Sequence, residues 1–582
     1  MAKYTISDID ARITGYENRL WELKAAFLGQ VTLQTGVTVV RMMNTVEHAG
    51  MLQLSNGDRL FMMYNPAEVV DLNDMPYALG ARYSIEKGCL TGTRESLISE
   101  ICDVLNNPAE DAPRVCLLTG VAGSGKSAVA HTIARLYEEQ ERLGSSYCFS
   151  STDVARRNPE NLFSTIARDL SDHDPQYKSA LWKIIKDNRA LRTSTSLVEQ
   201  ATRFIIEPSK HLHVIGPLVI VIDALDESGD EASRRQLLRV ISAQFAENAF
   251  PTNLRFFITS RPERDILSAF SSDAPFVHKQ MADIPDHIVD EDIERFIHHS
   301  LRQYPELDSS WPDGEWCRVL VHHSQHLFQW ASTACNFIEG IGTAGLDSCE
   351  RFEILVESGH DESVHPLDGL YGTILERQFT LDSAQRRFRD IMAIVLSLNE
   401  PLSLASLVTL FDGNLKAREI IKPLGSLLDG VFNEDKPIRP LHTSFRDFLL
   451  DETRSLAFHV CILPQHSLSL GRAMLTCMQD MLKFNICGLS DSRLRNAEVP
   501  DLHNRVNKAI PLYLSYACRY WMSHLQYADC TVELLNEVTL FFKKFFFYWL
   551  EAISLLSLSS PLSPILSALD NCSILQTWGK VR

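Results

Sequence analysis

The residues with the sharpest chemistry are the run GVAGSGKS at 120–127. It fits the spacing G-x-x-x-x-G-K-[ST], follows the apolar run 115–118 and precedes a helical periodicity, so strand, loop and helix come in the order a phosphate-binding loop requires. Gly120, Gly123 and Gly125 let successive backbone N–H groups turn inward around a phosphate, and the helix start adds partial positive charge. Val121, Ala122, Ser124 and Ala128 offer backbone around the same centre. Lys126 is placed to reach the β- and γ-phosphates of a nucleotide, and Ser127 to offer its hydroxyl to Mg²⁺.

A second constellation is LVIVIDALDES, where five apolar residues from 218 to 222 deliver Asp223 to the C-terminal edge of a buried strand. Ligands of open α/β sheets sit at that edge, which makes Asp223 the metal-side carboxylate. Asp226 and Glu227 follow within one turn and supply carboxylates able to polarise an attacking water beside a γ-phosphate. A third apolar strand, LRFFITSRPE, ends in Thr259, Ser260 and Arg261 at the same edge. From chemistry alone Arg261 reads either as a sensor of the γ-phosphate or as an ordinary surface ion-pair partner.

These residues need a scaffold, and the pattern between 115 and 284 provides one. Short β-branched runs (VCLLT, SYCFS, LVIVID, LRFFITS, FVHKQM) alternate with helical periodicity, which predicts a parallel sheet with helices on both faces. From about residue 286 the strand signal fades and amphipathic stretches take over, such as 292–302 and 316–338. A helix is expected at 9–28, and no period of 20 to 50 residues is present.

Composition narrows the classes. The chain has 582 residues, 45% of apolar types, which excludes fibrous and disordered classes. Lys plus Arg number 56 against 74 Asp plus Glu, a net charge of −18. That balance disfavours a broad nucleic-acid surface and leaves room only for a local basic pocket. The cysteines form no Cys-x-x-Cys and no regular spacing, so a reducing, cytoplasmic setting is expected. The apolar stretch near the end is broken by Lys543, Lys544 and Glu551 and then by serines and prolines, so no membrane span is expected. Cys116 and Cys148 read as packed strand residues, and His322, His323 and His326 lack a zinc-protease spacing.

Taken together, these motifs resemble the NACHT-domain NTPases of the STAND class, and most closely the NLR-like proteins abundant in filamentous and mushroom-forming fungi. The resemblance runs from about Leu72 to the end. LNDMPYALGARYSIEKGCLTGTRESLISEI looks like the segment before the phosphate loop, with Gly92, Thr93 and Arg94 where the family places its nucleobase-proximal segment. IDALDE is similar to the NACHT metal-binding strand, with Ala224 after the first Asp, and FITSRPE to the sensor strand, which favours a γ-phosphate role for Arg261. HLFQWASTACNFI resembles a helix of the helical domain, and PLSLASLVTLF with PIRPLHTSFRDFLLD resembles a winged helix. The family sets a winged-helix histidine on the β-phosphate of ADP, and His442 holds that position.

The resemblance implies an α/β P-loop core followed by helical and winged-helix domains, mostly α overall. The expected domains are an N-terminal region of unknown role (1–85), a NACHT nucleotide-binding domain (86–285), a helical domain (286–360), a winged helix (361–455) and a helical connector (456–582). The expected ligands are ATP or ADP, with GTP open, and Mg²⁺. The expected function is a switch that homo-oligomerises in its triphosphate state and hydrolyses slowly, in fungal non-self recognition or programmed cell death. A remodelling ATPase and a non-catalytic nucleotide-binding scaffold are the alternatives.

Overall fold

The computed structural model describes residues 72–556, less short interruptions that include 213–216, 271–275, 308–313, 358–363 and 526–530. The helix expected at 9–28 and the serine- and proline-rich stretch from 557 lie outside the described residues.

Continuous apolar runs build the core, buried along their whole length in the central strands. Strands β1 (Val115–Thr119), β2 (Leu143–Cys148), β3 (Leu218–Asp223), β4 (Leu254–Ser260) and β5 (Phe276–Gln280) form one sheet in the order β2-β3-β4-β1-β5, every neighbouring pair parallel. Val115, Leu117, Ile220, Ile222, Phe256 and Ile258 point to one face. Cys116, Leu118, Val219, Val221 and Phe257 point to the other. Here the cover is helices α1 (Glu95–Asn106) and α2 (Lys126–Glu139). The first face is closed by α3 (Leu162–His173) and α4 (Glu231–Ala246). Apolar residues on both faces of a strand are what a parallel sheet with two helical layers needs, and each buried aliphatic side chain there stabilises by about 1.5–3 kcal/mol.

The edge of β2 is covered by chain from before the expected domain boundary. Cys148 donates its N–H to the Ala81 carbonyl at 2.7 Å, and Ala78 donates to Thr165 Oγ1 at 3.0 Å. Met75, Ala78 and Ala81 are buried in the same core, so the packing of the nucleotide domain continues N-terminal of residue 86.

Beyond β5 the structure is almost all helical. Helix α5 (Asp286–Leu301) leads to the helix Glu315–Ser324 and then to α6 (Phe328–Ile338). The amphipathic stretch expected at 316–338 is thus two helices, broken where Gln325 and His326 take positive φ of 43° and 63°. The break lets the start of α6 point its Gln329 N–H at the Gly123 carbonyl, 3.1 Å away, while His326 Nδ1 pairs with Asp290 at 2.8 Å.

Between 361 and 455 lie α7 (Pro366–Gln378), α8 (Asp382–Ser397), two short helices (Leu404–Leu410, Ala417–Ile421), an antiparallel pair β6 (Leu428–Asp429) and β7 (Arg439–Pro440), and α9 (Thr443–Leu450). Two long helices, α10 (Pro464–Met481) and α11 (Leu512–Leu525), pack against each other in the C-terminal region. Among the described residues no helix is long and apolar enough to cross a membrane.

Candidate functional site

Strand order sets the geometry of the site. Because β4 lies between β1 and β3, the residues that leave all three strands meet at one C-terminal edge. Thr119 of β1 registers with Ser260 of β4, and Gly120 donates its N–H to the Ser260 carbonyl at 3.3 Å.

The phosphate loop follows β1 and runs into α2. Gly123 and Gly125 hold φ of 82° and 97°, the left-handed region in which a side chain is strained. A Cβ on Gly123 would also meet Gln329 Cβ at 2.9 Å and Leu367 Cδ1 at 3.3 Å, so α6 and α7 press directly on the loop. A Cβ on Gly120 would fall 2.7 Å from Met281. Val121 and Ser127 are exposed, and Ala122 and Ala128 flank the loop half-buried. Ser124 is buried, its hydroxyl donating to the Val121 carbonyl at 2.9 Å. Lys126 folds back to donate to the carbonyls of Gly120 and Val121, both at 2.8 Å. Burial pushes its ammonium down to about 8, against the pull of Asp226 and Asp223.

Asp223 ends β3, 4% exposed, and accepts from Thr259 Oγ1 of β4 at 2.5 Å. The same hydroxyl receives the Ala224 N–H at 3.1 Å, where the chain turns through a left-handed residue of φ 56°. Asp226 accepts from the Arg261 N–H at 3.0 Å and lies 3.2 Å from its Nε. Glu227 accepts the Ser151 N–H at 2.7 Å, and burial, reinforced by the Asp226 charge, raises its carboxyl to about 7. A carboxyl titrating near neutrality beside a carboxylate is the arrangement a general base requires.

Arg261 reaches further than sequence reasoning foresaw. Its guanidinium donates to Asp447 Oδ2 at 2.9 Å and to Thr443 Oγ1 at 3.2 Å, both on α9. The two residues are one helical turn apart on one face and follow His442. His442 caps α9: its Nδ1 accepts the Ser444 N–H at 3.1 Å, and the Ser444 hydroxyl bridges on to Tyr371 at 2.8 Å. With Nδ1 accepting, the neutral ring carries its proton on Nε2. Burial, with help from the Arg261 and Lys126 cations, holds the imidazole down at about 3.

The contacts of Arg94, and those behind Asp223, were not legible in the sequence. Arg94, buried beside the loop at φ 57°, donates to the Ser124 carbonyl at 3.3 Å, lays its guanidinium 4.8 Å from the Phe328 ring, and gives its N–H to Asp292 at 3.0 Å. His131 and Cys148 bring a ring nitrogen and a thiol within 4.8 Å of an Asp223 oxygen, so the buried strand cysteine also backs the carboxylate.

The donor set fits a nucleotide with a divalent cation. The loop backbone is a cradle that a Cβ would fill, Lys126 supplies charge, and the Ser127 hydroxyl and Asp223 carboxylate are hard oxygen donors of the kind such a cation takes. Residues 92–261 match the family model described as Nephrocystin 3, N-terminal. No curated protein matches the chain. Among solved structures, a STAND protein with a tetratricopeptide repeat sensor from Pyrococcus horikoshii is similar at 12% identity and a TM-score of 0.37. That similarity covers 87% of this chain and 64% of that one, so the chain spans less than two thirds of its length. The matched residues 92–261 hold the loop 120–127, Asp223, Asp226, Glu227 and Arg261, so the similarity covers the α/β core and the edge where these residues meet.

Proposed function

We propose that the chain is a signalling switch in which ADP holds the nucleotide core against a winged helix at 361–455, and ATP releases it. The observation that carries this reading is the Arg261 bridge. One guanidinium binds Asp226 at the phosphate edge and Asp447 on α9, so a group poised for a γ-phosphate is also the latch of the next region. A γ-phosphate competing for Arg261 weakens the hold on Asp447 and shifts the population toward the open form. His442 adds a second latch, since its Nε2–H is free to donate to a β-phosphate oxygen while Ser444 fixes the ring.

Hydrolysis resets the switch. Glu227 takes a proton from the attacking water, Asp226 keeps Arg261 in place, and Lys126 and the loop N–H groups carry the phosphate charge. Ser127 and Asp223 would hold Mg²⁺, which would supply charge neutralisation at the phosphates. The open form self-associates. The resemblance to fungal NLR-like proteins supports a cytoplasmic role in non-self recognition, heterokaryon incompatibility or programmed cell death. Mass spectrometry of the nucleotide that co-purifies with the full chain tests the reading: ADP is expected, and a chain purified without nucleotide contradicts a switch held by ADP.

A further inference from the structure

A cavity of about 100 Å³ lies between the nucleotide core and the region 361–455, lined on one side by Ser151, Thr152 and Arg157 and on the other by Asn399, Arg439 and Arg446. No residue of the phosphate loop lines it. In a chain of net charge −18, three arginines lining one small cavity call for counter-charge.

The protein does not supply it. Among the described residues, none of Arg157, Arg439 and Arg446 has a carboxylate partner or a side-chain hydrogen bond, and Arg439 Nε is buried with no acceptor. The acids whose charge they feel are engaged elsewhere. Asp447 binds Arg261 at 2.9 Å, Asp429 binds Lys436 at 2.9 Å, and Asp153 caps the short helix after it through the N–H groups of Ala155 and Arg156. Glu227 is occupied by the Ser151 N–H. Burial lowers the affinity of Arg439 and Arg446 for their protons, and the neighbouring Arg156 and Arg157 cations act in the same direction. Such a cluster is relieved by an anion with several acceptor oxygens and more than one charge, and planar guanidinium forks match phosphate geometry.

We propose that this cavity is a phosphate-binding site, distinct from the nucleotide site, whose occupant is inorganic phosphate or the phosphate group of a small metabolite. The cavity volume admits one such group and no macromolecule. Because Arg157 belongs to the core and Arg439 and Arg446 to the region beyond α8, a bound phosphate ties the two together and stabilises the closed arrangement.

The test is equilibrium dialysis of radiolabelled inorganic phosphate against the full chain saturated with ADP. One saturable site is expected. Its affinity should fall at least about tenfold in Arg446→Gln and Arg439→Gln, and also in Arg157→Gln, which is exposed and alters no core packing. Raising ADP further above saturation should leave phosphate uptake unchanged, which separates this site from the positions of ADP's own phosphates. Glycerol phosphate competing as well as phosphate identifies a phosphate ester as the ligand, and failure to compete identifies the free ion. The proposal is overturned if the ADP-loaded chain takes up no phosphate saturably. It is equally overturned if all three arginine variants, loaded with ADP, take up phosphate as wild type does.

Discussion

At the residue scale, the account rests on groups whose roles separate by experiment. Lys126 is the loop's only cation between 120 and 127, so Lys126→Ala should abolish binding of a fluorescent nucleotide, with no neighbour to substitute. Unchanged affinity would remove the phosphate-loop assignment. Glu227→Gln should leave binding intact and slow hydrolysis about 10²–10⁴-fold, the range a general base contributes. Since the Glu227 carboxyl titrates at about 7 and acts deprotonated, the wild-type rate should rise with pH through that value. A flat profile, or a variant as fast as wild type, moves the base elsewhere. His442 carries a different pH signature. Its ring takes a proton near its ordinary value of 6.5 in the unfolded chain but only near 3 in the fold, so the unfolded chain binds more protons between those values. Stability should therefore fall as pH drops through that window, and His442→Gln should flatten the fall in a denaturant titration.

At the scale of elements, what was legible in the sequence follows from range. The strand, loop and helix around Gly120 are local, and their periodicities stand in consecutive residues, so their order was readable. Asp223 was readable for the same reason: five apolar residues before it make a buried strand that ends in a charge. The partners of Arg261 were not, because Asp447 lies 186 residues away and pattern alone cannot say which distant helix docks at a strand end. The division of 316–338 into two helices was also hidden, since no glycine or proline marks Gln325 and His326 and the cause is a loop carbonyl 206 residues upstream, counted from Gln329 to Gly123 (329 − 123). The Arg261–Asp447 contact predicts its own test. In the ADP-loaded chain, a double-mutant cycle of Arg261→Ala and Asp447→Ala should give a coupling of about 0.5–3 kcal/mol, and strict additivity would show that the pair is not a latch.

At the scale of the whole molecule, the same seam is tied at several points. Asn399, which follows α8, accepts the Val154 N–H of the core at 3.0 Å, gives its own N–H to Tyr516 at 3.0 Å, and gives its side-chain amide to Ser523 at 2.6 Å, both on α11. Core, middle region and C-terminal helices are thus linked through one residue, so release at Arg261 and His442 has a path to the distal helices. A switch needs such a seam to be bistable, held by a few contacts that depend on the nucleotide. Net charge of −18 works in the opening direction by self-repulsion, which the nucleotide contacts must outweigh.

The most direct test of that claim is the ADP off-rate of His442→Ala beside wild type, measured together with the thermal stability of the nucleotide-free proteins. A hydrogen bond from His442 to a charged phosphate contributes about 1.5–3 kcal/mol, so ADP should leave about ten- to a hundred-fold faster, on top of the loss of nucleotide-free stability, about 0.5–2 kcal/mol, that removing the α9 cap causes by itself. An unaltered off-rate with a destabilised nucleotide-free protein would show that His442 only caps α9, and that ADP does not hold the molecule closed through it.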